Sequence, residues 1–174
     1  MTRVFIGGSR SITRLPAEVQ QRLANIVERG FAVLVGDANG ADKVAQRYFA
    51  GRSYDHVTVF CTNGACRNNL GHWPVRAVAA ARGARGFDFY AAKDAQMAKE
   101  CTVGFMMWDG RSRGTLANAA RLVEESKPAL VYVAPAGKFV SIRNRSDYQH
   151  YLLHRGTSAA DPGDQADTHH AVLF

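Results

Sequence analysis

Residues Thr102–Glu125 read TVGFMMWDGRSRGTLANAARLVEE. An uncharged, mostly apolar run, TVGFMM, passes through the turn WDGRSRG into a run with helical spacing of apolar residues. Continuous apolarity over six residues fits a strand covered on both faces, as strands of parallel sheets are. A chain reversal needs one glycine and at most an aspartate. Asp109, Gly110, Arg111, Ser112, Arg113, Gly114 and Thr115 exceed that need, so we expect a binding site where this strand ends.

The same grammar recurs along the chain. Arg3–Gly7 (RVFIG) predicts a first strand, and Val19, Leu23, Ile26 and Val27 mark a helix, capped by Ser11 or Thr13 and closed by Gly30. Phe31–Val35 predicts a second strand, Gly36–Asp42 (GDANGAD) a turn, Lys43–Ala50 a helix and Val57–Cys61 a third strand. Ala91–Cys101 predicts a helix, Thr102–Met107 a fourth strand, Thr115–Ser126 a helix and Ala129–Ala134 a fifth strand. Phe139–Ile142 is a candidate sixth strand at an edge, with Ser146 or Asp147 starting a last helix that runs to Leu153. Within 62–88, rich in Gly, Asn and Arg, WPVRAVAAAR is read as a short helix with Pro74 in its first turn. This alternation predicts an α/β domain over residues 1–154: a doubly wound, mainly parallel sheet of five to six strands with helices on both faces. Residues 155–174, small and polar, are expected to form a flexible tail.

The 174 residues carry a formal charge of +7 and a pI near 9.7. The charge is uneven. Residues 1–87 hold 12 Lys and Arg against 5 Asp and Glu, whereas 88–174 hold 10 of each. Arg67, Arg76, Arg82 and Arg85 fall where no acid intervenes between Asp55 and Asp88. Such a segment attracts phosphates, on a nucleotide or on a nucleic acid. No run of 18 apolar residues is present, so no membrane partner is expected. The start, MTRVFIGGSR, enters a strand pattern without a signal-peptide core. Three cysteines in no paired framework suit a reducing compartment, and the expected location is cytoplasmic. Cys61, Cys66 and His72 lack the second ligand pair of a zinc site; no metal is expected.

Doubly wound sheets bind ligands beyond the carboxyl ends of their strands, where strand order reverses. Gly7, Gly8, Ser9 and Arg10 follow the first strand, where glycines admit a ligand and an arginine grips an anion. After the second strand, Asp37 suits a ribose hydroxyl, and Gly40 and Asp42 open the next helix, Asp42 being equally a helix cap. Asp109, Gly110, Ser112, Gly114 and Thr115 form a second anion cradle at a helix N-terminus. Lys93 and Asp94, read in the first turns of their helix, are further candidates. A lysine is unfavourable there unless an anion lies close.

The motifs GGSRSI, GDANGAD, YAAKDAQMA and WDGRSRGT, in this order, resemble the YspA-type (cpYpsA-related) branch of the SLOG superfamily over roughly residues 3–153. SLOG proteins are Rossmann-like and include the LOG phosphoribohydrolases and the DNA-processing protein DprA. The resemblance implies a nucleotide, NAD-like or ADP-ribose-like ligand between the first and fourth strand ends, and a homodimer as in LOG proteins. LOG enzymes carry a catalytic Glu in PGGxGTxxE, and Asn118 stands in its place here. The LOG hydrolysis is therefore not carried over, and Asp109, Asp94 and Asp37 are the carboxylates that remain for any N-glycosidic chemistry. Two functions follow: a nucleotide-binding sensor or weak N-glycosidic hydrolase, or a DprA-like nucleic-acid binder using the basic residues 67–85, the likeness to DprA lying in the GDANGAD turn. Trp73 is the aromatic within that segment, and Phe87, Phe89 and Tyr90 follow it.

Overall fold

A computed structural model describes residues 1–153; the expected tail lies outside them. Seven strands form one sheet: β1 (Arg3–Gly8), β2 (Ala32–Gly36), β3 (Val57–Thr62), β4 (Val75–Val78), β5 (Val103–Trp108), β6 (Ala129–Val133) and β7 (Lys138–Ile142). The helices are α1 (Ala17–Glu28), α2 (Ala41–Ala50), α3 (Gly86–Glu100), α4 (Arg113–Glu124) and a short α5 (Arg145–Tyr148). The strand order is β4-β3-β2-β1-β5-β6-β7, parallel throughout except for the β6–β7 pair. The chain winds from β1 outward to β4, then crosses back to lay β5 beside β1. The switch point thus falls between β1 and β5, the strands whose exits carry the two glycine-rich turns. This is a Rossmann-like α/β fold.

Alternate residues of each strand feed opposite layers. Val4 and Ile6 pack with Leu23, Ile26, Ala45 and Phe49 of α1 and α2. Phe5, Met106 and Trp108 pack with Met97, Ala119 and Leu122 of α3 and α4. Burial on both faces accounts for strands that read as unbroken apolar runs. No helix among the described residues is long and apolar enough to cross a membrane.

Three readings are corrected. First, Val75–Val78 is an edge strand, not a helix: the Val59 amide donates to the Pro74 carbonyl, drawing the chain alongside β3. The Ala-rich composition favours a helix in isolation, but pairing with β3 overrides it. This strand brings the sheet to seven, above the expected five to six. Second, α3 begins at Gly86, five residues before Ala91. Its N-cap, Arg85, makes no side-chain capping bond, so the sequence gives no start signal there. Lys93 consequently sits about two turns into the helix, and the dipole argument for a nearby anion no longer applies. Third, Cys61 and Cys66 pair as a disulfide with Cα atoms 5.1 Å apart, leaving Cys101 as the buried free thiol.

Candidate functional site

At the switch point the β1–α1 loop meets the β5–α4 loop. The buried Ser9 does the joining: its hydroxyl accepts from the Asp109 amide at 3.0 Å and lies 3.1 Å from the Thr115 hydroxyl. Ser112 caps α4, accepting from the Thr115 amide and hydroxyl at 3.3 and 3.1 Å. Asp109 organises the remainder. It accepts from the Ser11 hydroxyl at 2.6 Å and from the amides of Arg111 and Ser112 at 2.9 and 2.7 Å. Burial pushes its pKa up, but these donors outweigh burial and bring it down to about 2.

Glycines permit the close approach. A Cβ on Gly8 would strike the Met107 carbonyl, and one on Gly40 (φ +81°) would strike the Arg10 backbone. The β1 exit is thereby pressed between β5 and the start of α2. A Cβ on Gly36 would collide with the Asp42 carboxylate and the Lys93 ammonium, so the end of β2 leaves room for an ion cluster.

That cluster centres on Lys93, 3% exposed. Its Nζ lies 2.7 Å from Asp94, 3.8 Å from Asp42 and 4.0 Å from Asp37. Burial works against its charge, yet the three carboxylates more than compensate and its pKa is raised. Arg67 grips both oxygens of Asp37, donating from Nη2 at 2.8 Å and from Nε and its backbone amide at 3.0 Å each. Burial raises the Asp37 pKa, but these bonds and the Lys93 charge leave it lowered. Asp94 also accepts from Asn118 Nδ2 at 3.1 Å. Asp42 is also buried and is held by the Ala38 amide at 3.1 Å, and burial pushes its pKa up to about 6.

The folded protein therefore holds the Asp42 proton more tightly than the unfolded chain, whose ordinary value is 3.8. The resulting stability is present at low pH and is lost as the pH rises from about 4 to about 6. Asp109 acts oppositely and in a lower window, losing stability as the pH falls from 3.8 towards 2. We predict that Asp42→Asn flattens the upper part of the profile. Urea unfolding of wild type and variant between pH 4 and 7 checks this. Parallel profiles across that range would show that Asp42 titrates normally.

Above the cluster opens a cleft of about 600 Å³. Of the residues expected from sequence, Gly7, Gly8, Arg10, Asp42, Lys93, Asp94, Asp109, Ser112 and Gly114 line it. Ser9, Asp37, Gly40, Gly110 and Thr115 stand behind the wall; the first two are buried to 0% and 2% exposure, and Gly110 takes a turn at φ +81°. Among the lining residues not expected there are Ser11, Arg67, Phe87 and Tyr90. The guanidinium of Arg67 lies 4.3 Å from the Tyr90 ring centroid and that of Arg10 lies 5.6 Å from it, so one ring carries two arginines. Phe87, 56% exposed, stands at the mouth near the first turn of α4. The sequence hinted at this arrangement only through aromatics following an arginine-rich segment.

No family model matches the chain, and no curated protein matches it. Among solved structures it is similar to DNA processing protein A from Helicobacter pylori, described for its single-stranded DNA binding mode. The TM-score is 0.56 at 16% identity, covering 75% of this chain and 64% of the other, somewhat less than two thirds of that protein. The likeness is one of fold, and it joins the chain to the Rossmann-like architecture of DprA.

Proposed function

We propose that the protein binds a nucleotide in the cleft between the β1 and β5 exits and acts as a sensor rather than a hydrolase. One observation carries this: a cleft at the switch point joins an anion-binding rim to a carboxylate-lined floor and an aromatic wall. Its size falls within the ordinary range for small-molecule sites. In this reading Gly7, Gly8, Arg10 and the first turn of α4 hold phosphate. Asp42 and Asp94 accept sugar hydroxyls, and the base lies against Tyr90 and Phe87. Asp37 serves by holding Arg67 rather than by touching a ribose. The sensor role rests on the three carboxylates weighed for N-glycosidic chemistry; Asp42, which lines the cleft with a pKa of about 6, is the group through which a hydrolase reading would have to run. Asp109, at about 2, is too acidic to carry a proton at neutral pH. Asp94 and Asp37 are tied to Lys93, Asn118 and Arg67.

A second reading, binding of single-stranded nucleic acid, is favoured by the exposed Phe87 beside Arg85 and Arg82 and by the likeness to a protein described for binding single-stranded DNA. That likeness supports this reading better than it supports a free nucleotide. Both place one nucleotide in the same cleft.

Thermal unfolding with AMP, ADP, NAD, ADP-ribose and ribose 5-phosphate, each near millimolar, tests the first reading. A ligand at about 100 times its Kd adds roughly 2.7 kcal/mol, or about 5–10 °C for a chain of this size. Fluorescence anisotropy with a labelled ten-nucleotide oligo-dT tests the second. Oligo-dT binding that falls steeply with salt, without a shift from any nucleotide, would select nucleic acid. Silence in both assays would contradict both readings.

A further inference from the structure

We propose that the Cys61–Cys66 disulfide is a redox latch that sets the Arg67 wall of the cleft, locking it when oxidised and releasing it when reduced. Cys61 lies at the end of β3, fully buried in the core beneath α2. Cys66 lies partly buried at the far end of the turn Thr62–Ala65 and immediately precedes Arg67. The bond thus fastens to the sheet the residue whose next neighbour donates three hydrogen bonds to Asp37, stacks on Tyr90 and lines the cleft.

The turn is otherwise fixed through Asn63. Asn63 and Gly64 adopt left-handed backbone at φ 54° and 78°. The Asn63 amide donates to Val78 and its side chain accepts from Ala80, both on or beside the edge strand β4. Reduction frees Cys66 from β3, so Arg67 loses its tether on the N-terminal side. It keeps its bonds to Asp37, its contact with Tyr90 and, on the C-terminal side, the buried Asn68, which donates to the Asp37 carbonyl and to Asn39. Because Arg67 is also a wall of the site, the loosening reaches whatever binds there. In a reducing compartment a disulfide is transient, the setting in which such pairs act as sensors.

The chemistry is thiol–disulfide exchange with a low-molecular-weight disulfide such as oxidised glutathione. The Cys66 thiolate, the more accessible of the two, attacks one glutathione sulfur and expels a glutathione thiolate, giving a mixed disulfide. The Cys61 thiolate then attacks the Cys66 sulfur and expels the second glutathione thiolate. The protein loses two electrons, the disulfide gains them, and the two thiol protons pass to solvent. Cys101 is buried and burial pushes its thiol up to about 11, so it does not compete.

The effect on nucleotide binding rests on the nucleotide reading, whereas the latch itself does not, and the test separates them. The full chain is equilibrated with oxidised glutathione or with a phosphine reductant. Amide exchange at Arg67 and affinity for AMP are then measured. We expect Arg67 to exchange roughly fivefold or more faster, and AMP to bind weaker by a similar factor, in the reduced protein. Cys66→Ser in oxidising buffer should match reduced wild type. An exchange difference without AMP binding in either state supports the latch and counts against the nucleotide reading. Equal Arg67 exchange in the two states overturns the latch. So does a glutathione-treated chain that, once denatured, still shows all three of its cysteines as free thiols.

Discussion

Replacing Lys93 with methionine is expected to destabilise the fold by about 3–5 kcal/mol, the usual cost of breaking a buried ion pair from one side. The reason lies in what remains. Asp94, Asp42 and Asp37 converge on one ammonium that is almost wholly excluded from water, and methionine fills the volume without answering the charge. Arg67 still covers Asp37, but Asp42 keeps only the Ala38 amide. For a chain of this length that loss lowers the melting temperature by roughly 6–20 °C. The deficit should shrink on acidification towards pH 5, because protonating Asp42 removes one of the uncompensated charges. Lys99→Met, at an exposed position of the same helix, should cost no more than about 0.5 kcal/mol. Thermal and urea unfolding of both variants checks this. A Lys93→Met protein as stable as wild type would mean that the cluster is solvated and that the floor of the cleft is built otherwise.

Arg10→Ala is expected to weaken nucleotide binding by about 10- to 100-fold, the loss of one or two charge-assisted hydrogen bonds to phosphate. The fold should barely notice. It is the backbone of Arg10 that packs under Gly40, while its exposed side chain reaches over Tyr90 into the cleft. Unfolding free energy should stay within about 0.5 kcal/mol of wild type. Arg10→Lys, which keeps the charge but loses the fork, should fall between the two. Titration calorimetry with the nucleotide that gives the largest thermal shift measures the effect. Unchanged affinity in Arg10→Ala would remove the phosphate from the β1 exit.

The sheet was legible because parallel strands buried on both faces leave an unmistakable trace. RVFIG, FAVLV, VTVFC, TVGFMM and ALVYVA all form strands within a residue or two of the expected limits. The switch point followed from the two glycine-rich exits. What stayed hidden was non-local. The strand at Val75–Val78 exists because β3 offers it an edge, and four residues do not show that period. Helix α3 starts at Gly86 without a capping side chain, so Lys93 looked like a first-turn residue and proved to be the buried centre of an ion cluster. Asp37 was read as a ligand contact because it ends a strand. Its capture by Arg67, 30 residues on, depends on how the segment after β3 folds back. The Cys61–Cys66 pairing was missed because an odd cysteine count reads as free thiols.

The most direct test of the site is amide hydrogen exchange with and without saturating AMP, repeated with a ten-nucleotide oligo-dT. Binding in the switch-point cleft predicts slowed exchange at the β1 exit around Gly8–Ser11, in the first turns of α3 from Phe87 to Asp94, and at Asp109–Thr115, with the opposite edge at β7 unchanged. Protection confined to other surfaces, such as the groove between Arg14 and Arg47, or absent with both ligands, would contradict the assignment of the cleft.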